Sequence, residues 1–354
     1  GAGAYMMLEL VAPPVTYLEI VRAALLPALL YYFSLLLVVH LQARRQGSGG
    51  ETELPASAAS RWPGIVFAGA FATLILLLLL GYTPFRAVSV SLVAILALAA
   101  FRRDTRVGPS GLVEATARAA HSGVALLAAA ACVGTIIGVV TLTGVGSKLP
   151  GLLLPLAQDS LPLALVLLMV STIILGMGLP SAVCYLLVAT LIGPFLGDMG
   201  PPPLAGHLFV FYFGMMSMVT PPVALAAYTA AAIAGSDVLR TAFVAFRFAL
   251  IGFVLPFAFV FRPELLMLDG AGMLASADAV LINLLPAVIG IGALAVAVSG
   301  YLRTPWSLPN RLLLAPVAAV FLFAGPKAEN IGLFLGAAVL GWAGFLLNRR
   351  AQRV

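Results

Sequence analysis

Charge is the scarcest property of this 354-residue chain: Asp, Glu, Lys and Arg make up 9% of it, against 62% apolar residues and a mean hydropathy of +1.12. Soluble domains carry roughly 25% charged side chains, and so few polar groups cannot coat a globule of this size. A water-soluble enzyme, a nucleic-acid binder and a disordered chain are excluded together. Histidine and cysteine are as sparse, at three and two residues. His40, His121 and His207 stand far apart, so no His-Glu-x-x-His helix exists to hold the zinc of a membrane metalloprotease. There is no Gly-x-Ser-x-Gly turn and no pair of intramembrane carboxylates, which removes the other common routes to hydrolysis. Cys132 and Cys184 lie inside apolar runs and read as reduced packing residues rather than a disulfide.

Long apolar sequence is what the chain has in quantity. Runs over 17–41, 63–81, 85–101, 123–145, 242–261, 279–302 and 328–347 approach the roughly 20 residues that cross a bilayer. A shorter run covers 312–325. The expectation is an all-α polytopic membrane protein in contact with lipid. Its 19 basic and 13 acidic residues read as topology, since Arg and Lys collect in cytoplasmic loops. Placing Arg44, Arg45 and Arg61 inside puts Arg102, Arg103, Arg106, Arg240, Arg303, Arg311 and the C-terminus on the same side. Arg86, Lys148, Arg262 and Lys327 then lie outside. That path works only if 161–194 enters the membrane and returns to the side it came from.

Residues 46–60, rich in Gly, Ser and Ala, read as a flexible cytoplasmic linker. Residues 110–121, with Glu114, Arg118 and His121, suggest an interfacial amphipathic helix leading into the next span. The chain opens Gly1-Ala2-Gly3-Ala4-Tyr5 without an initiator Met or a signal peptide, and reads as beginning inside a membrane segment.

Two interruptions carry the chemistry. Leu-Gly-Met-Gly-Leu-Pro-Ser at 175–181 has about 14 apolar residues before it and about 13 after, each too short to span at 1.5 Å per residue. A helix–tip–helix hairpin fits. Ser-Met-Val-Thr-Pro-Pro at 217–222 interrupts a run of about 31 residues, and Pro221 and Pro222 remove backbone donors there. Unwound backbone at membrane depth is tolerated only around a polar cavity or inside protein. Freed carbonyls with Ser and Thr hydroxyls are the hard oxygen ligands of a small cation, and half-helix ends suit a transported ion or substrate. The pair therefore points to a secondary transporter; two kinks used only for packing, in a non-transporting scaffold, are the plainer alternative. A weak internal similarity pairs Ala4-Tyr5, Arg22 and Pro27 with Ala227-Tyr228, Arg247 and Pro256, as an inverted repeat or by chance.

Gly-Met-Gly-Leu-Pro-Ser at 176–181, His-Leu-Phe-Val-Phe-Tyr-Phe-Gly at 207–214 and Ser-Met-Val-Thr-Pro-Pro-Val-Ala-Leu-Ala-Ala-Tyr at 217–228 resemble the large membrane subunit of tripartite ATP-independent periplasmic (TRAP) transporters. The tail after Phe261 and residues 17–45 look more like the fused-permease branch. The resemblance implies a sodium-driven elevator with an inverted repeat, a re-entrant hairpin and a broken helix, in a bacterial or archaeal cytoplasmic membrane. It also implies a periplasmic binding protein that delivers a small organic anion, and no cofactor beyond the coupling Na+. By resemblance, one sodium site would use the Ser181 and Thr220 hydroxyls with carbonyls at Gly176, Gly178 and Ser217. Pro180, Pro221 and Pro222 would hold the backbone open. Gly1, Gly3, Tyr5, Met177 and Tyr228 would border the substrate. Ala182 departs from the second hydroxyl common in the family. The organisation expected is 1–45 as the end of a first repeat whose N-terminal half is missing, 46–60 as linker, and 61–147 as scaffold spans with the amphipathic arm. A transport domain follows at 148–261, with its hairpin at about 161–194 and its broken helix at about 204–235. An extension of about three spans covers 262–354.

Among the remaining candidates, His207 reads as an interfacial histidine with a structural hydrogen bond. Arg22 and Arg247 read as helix-end snorkelling side chains or as held by a structural partner such as Glu19, with contact to substrate as the alternative. Gly134-x-x-x-Gly138 and Gly332-x-x-x-Gly336 match the small-residue helix-packing pattern. Gly144-Val-Gly-Ser-Lys148 lacks the spacing of a phosphate loop and reads as a connection.

Overall fold

The computed structural model describes residues 2–47, 62–80, 82, 84–102, 105–144, 160–177, 181, 183–189, 200–325 and 330–350. These are helical, apart from connections and two isolated bridges, Leu268 with Leu274 and Tyr301 with Pro305. Among the described residues, three helices are long and apolar enough to cross a membrane, Tyr17–Arg45, Val238–Phe261 and Ala277–Ser299. The remaining apolar helices are shorter. The chain divides into two compact units, Gly50–Val124 and the rest.

In the smaller unit, α3 (Trp62–Leu79) and α4 (Pro84–Ala100) pack side by side. Gly69 lets them approach: a Cβ there would stand 2.7 Å from Leu98 Cδ1. The guanidinium of Arg102 lies over the Trp62 ring at 5.4 Å. Helix α5 (Pro109–Thr143) begins in this unit. It runs unbroken through 110–121 and the apolar segment after it, so the expected interfacial helix is not a separate element. Its exposed Glu114 and Arg118 pair one turn apart along it.

The larger unit is a bundle around α2 (Tyr17–Arg45), preceded by α1 (Ala2–Leu10). Thr16 starts α2 with a reciprocal cap: its Oγ1 accepts the Glu19 amide at 3.3 Å, and Glu19 Oε2 accepts the Thr16 amide at 2.6 Å. Helix α6 (Leu161–Gly176) and the helical residues 183–189 precede α7 (Pro203–Met216), a 3-10 turn (Ser217–Val219) and α8 (Leu225–Ala234). Gly235, at φ +61°, ends α8 in the left-handed conformation that favours glycine. Asp237 then caps α9 (Val238–Phe261) by accepting the Arg240 amide at 2.7 Å.

Beyond α9, the 3-10 turn Pro263–Leu266 leads to α10 (Ala277–Ser299), α11 (Leu308–Phe323) and α12 (Ile331–Arg350). Helix α10 packs on both α2 and α11, and α11 on α12. Edge-to-face aromatic contacts join α7 to α9: Phe209 meets Phe257 at 5.2 Å and Phe213 meets Phe257 at 5.9 Å. At Gly252 of α9, a Cβ would lie 2.6 Å from Tyr31 of α2 and 3.1 Å from Met216 of α7. The missing side chain there allows three helices to converge directly behind the 217–222 interruption. Gly138, Gly332 and Gly336 face open space, so the small-residue pattern marks no helix contact at these positions.

Candidate functional site

Helix α6 has 16 residues, about 24 Å at 1.5 Å per residue, short of a hydrocarbon core near 30 Å. It stops at Gly176, and Met177 caps it by donating its amide to Ile173 O at 2.9 Å. Pro180 has no N–H, so the Gly176 carbonyl lacks its helical donor. The chain then doubles back: Cys184 Sγ lies 3.5 Å from Thr172 O, and Ser181 O and Cys184 Sγ both lie beside Gly214 of α7. Gly178 and Pro180 fall outside the described residues. The half-buried Ser181 hydroxyl has no hydrogen-bond partner among the described residues.

The second interruption follows from Pro221 and Pro222. Ser217 O accepts the Thr220 amide at 3.1 Å in a tight turn, while Pro222 leaves Met218 O without the donor a helix would supply. The chain resumes at Ala224, buried and held at φ +27°, a strained angle for a residue with a Cβ. Its amide donates to Thr220 O at 3.1 Å and its carbonyl accepts the Ala227 and Tyr228 amides. The Tyr228 hydroxyl donates to Pro222 O and ties the second half-helix back onto the break.

The two interruptions meet. A Cβ on Gly176 would stand 2.7 Å from Ser217 Oγ, 2.9 Å from Ser217 Cβ and 3.3 Å from Gly214 O. Ser217 Oγ donates to Gly214 O at 2.7 Å, and Thr220 Oγ1 donates to Met216 O at 2.8 Å. With both protons held by helix carbonyls, only oxygen lone pairs face outward, the polarity a cation attracts. Of the residues singled out in the sequence, Gly176 and Ser217 lie on this contact, Ser181 lies beside Gly214 with its carbonyl, and Thr220, Pro221 and Pro222 form the turn that follows. Met177 is the half-buried cap of α6, Gly3 lies within α1, and Gly1 and the Tyr5 side chain fall outside the described residues.

Sequence reasoning missed several residues of this region. Gly214 lies against Ser181 O and Cys184 Sγ, and a glycine inside an apolar helical run was its available signal. His207 has the structural hydrogen bond expected of it but is buried rather than interfacial: its Nδ1 shares that bond with the Tyr185 hydroxyl at 2.7 Å, which ties residues 183–189 to α7. Tyr185→Phe is expected to leave that ring nitrogen unpaired and to destabilise the protein by about 1–2 kcal/mol, measurable by chemical denaturation of the purified protein. Ser171 and Thr172 of α6 are buried with unpartnered hydroxyls, and nothing in their spacing singled them out. Arg247 meets the Val298 carbonyl rather than Glu19. A cavity of about 440 Å³ runs beside the break between α2 and α7, touching Met216 and Val219. Among the described residues that line it, the Tyr212 hydroxyl is a buried polar atom without a partner and no side chain is charged.

A bundle of apolar helices, with one helix interrupted by proline and a doubled-back pair seated on the interruption, defines a multi-pass membrane protein of the transporter kind. The chain belongs to the tripartite ATP-independent periplasmic transporter DctM component family, whose model matches residues 1–271. It is therefore the large membrane component of a TRAP transporter and not an enzyme. No curated protein and no solved structure matches it significantly.

Proposed function

We propose that this chain is the permease of a sodium-coupled secondary transporter that takes up a small organic anion, commonly a carboxylate, delivered by a periplasmic binding protein. The observation that carries the reading is the seating of Gly176 against Ser217, with the Ser181 and Thr220 hydroxyls at the same two interruptions. Sodium would be held by those hydroxyls and by carbonyls near Gly176, Gly178 and Ser217. The doubled-back segment would act as a re-entrant hairpin, and α7 and α8 as one broken helix in a transport domain moving as an elevator. Pro180, Pro221 and Pro222 would keep the backbone open. The excess of arginine at one end of the bundle supports a cytoplasmic C-terminus in the inner membrane. The helices α10, α11 and α12, beyond the matched region, support the fused-permease arrangement.

The assignment is tested without knowing the substrate. The purified complete transporter is heated in NaCl and in KCl of equal ionic strength, because an ion that binds the folded state raises its stability by mass action. Sodium should stabilise the wild type selectively. Thr220→Ala and Ser181→Ala should each raise the sodium midpoint by about tenfold, the scale of one lost charge-assisted contact. Unchanged midpoints in both variants would remove these hydroxyls from the site.

A further inference from the structure

Helix α10 ends at Ser299, where its last carbonyls have no helical donors and carry the negative end of the helix dipole. Three guanidinium groups from three other helices close on that end. Arg45 of α2 donates to Ser299 O at 2.6 Å, and Arg247 of α9 to Val298 O at 2.5 Å. Arg311 of α11 donates to Ala297 O at 2.6 Å and Val298 O at 3.2 Å. Gly300, at φ +66°, admits Arg311 to within 3.1 Å of the place a Cβ would take.

Among the described residues the charges do not balance. A helix end supplies about half a negative charge, against three full positive ones, and Arg311 lies within the electrostatic reach of both Arg247 and Arg45. Among the described residues no carboxylate is within ion-pair distance of any of the three. The Asp237 carboxylate, at the start of α9, accepts the Arg240 amide. Each guanidinium has five N–H donors, and these four bonds leave most of them unused. Arg45 is exposed and the other two are half-exposed, so an anion reaches them from outside the bundle. Val244, one turn before Arg247 on α9, and Leu308 and Leu312, which flank Arg311 on α11, leave large apolar side chains exposed.

We propose that Arg45, Arg247 and Arg311 form a binding site for a phosphate group, with the α10 end as its floor and the phosphodiester of an anionic phospholipid as its occupant. The guanidinium fork matches phosphate oxygens. The apolar flank at Val244, Leu308 and Leu312 gives acyl chains a bed, which free phosphate would not need. The site shares no residue with the two interruptions and does not depend on the sodium reading.

The test uses the purified full chain in detergent, with phosphatidylglycerol, phosphatidylcholine and inorganic phosphate as separate probes. Native mass spectrometry should show phosphatidylglycerol retained in preference to phosphatidylcholine. Arg45→Gln and Arg247→Gln should weaken that retention by about fivefold for each guanidinium removed. Stabilisation by inorganic phosphate that is lost in the same variants would keep the site and assign it to the free anion. If the wild type shows no preference for phosphatidylglycerol and no response to phosphate, the proposal falls; that comparison requires no variant to fold. Equal retention by folded variants and wild type overturns it as well.

Discussion

Gly176→Ala is expected to abolish sodium-dependent stabilisation of the transporter, and with it any sodium-coupled uptake. The new methyl carbon would sit 2.7 Å from Ser217 Oγ, 2.9 Å from Ser217 Cβ and 3.3 Å from the Gly214 carbonyl. None of these is the far end of a flexible side chain: Ser217 is buried and hydrogen-bonded to Gly214 O, and Gly214 O is backbone. Relief requires α6 to withdraw from the break, separating the oxygens proposed to share one ion. Overpacking of this kind costs about 1–3 kcal/mol in stability, too little to unfold most proteins. The ion response should therefore disappear from a protein that still inserts and folds. Gly332→Ala and Gly336→Ala on α12 are the controls, because nothing lies within 4 Å of either new carbon. Both should be neutral or stabilising by up to about 1 kcal/mol through helix propensity. A Gly176→Ala protein with an unaltered sodium midpoint would separate the two interruptions functionally.

The parts of this site legible in the sequence are those set by proline and by length. Pro221-Pro222 cannot continue a helix, and an apolar segment as short as α6 cannot span, so both interruptions can be placed before any coordinates are known. The contact between them is another matter. Gly176 meets Ser217 where the Tyr185–His207 hydrogen bond ties residues 183–189 to α7, and no local pattern encodes that pairing. Charge was legible as topology but not as structure. Arg262 reads as an outside loop cation and is in fact buried, while Arg247 and Arg311 end on backbone carbonyls, which every residue possesses and no side-chain pattern advertises. The glycine pairs show the converse: Gly332 and Gly336 match a packing motif yet face open space, because small residues permit close approach without causing it.

Arg262→Ala should destabilise the protein more than any other substitution considered above, by about 3–5 kcal/mol, on the scale of stranding the partner of a buried charge. Its side chain is 2% exposed. Nε donates to Asn283 Oδ1 at 2.9 Å and Nη2 to Asn283 O at 2.6 Å, both on α10. Nη1 donates to Phe321 O at 2.9 Å and Leu322 O at 3.2 Å, in the last turn of α11. One guanidinium thus caps α11 and joins it to α10, at the end of the bundle opposite the Arg45–Arg247–Arg311 cluster. Helices α10 and α11 lie beyond the matched family region and Arg262 within it, so this residue anchors the extension to the core. Truncation takes the donor from the Asn283 amide oxygen and from the Phe321 and Leu322 carbonyls in an apolar setting, while the Asn283 carbonyl keeps its place in the α10 ladder. Arg262→Lys keeps the charge but presents a compact ammonium that cannot reach both helices with a planar fork, and should recover less than half of the loss. Limited proteolysis gives the diagnostic readout: cleavage in the connection between α11 and α12 should accelerate in Arg262→Ala before the core around α7 and α9 yields. If both regions open together, the extension and the core form one cooperative unit, and Arg262 stabilises the whole bundle rather than its attachment.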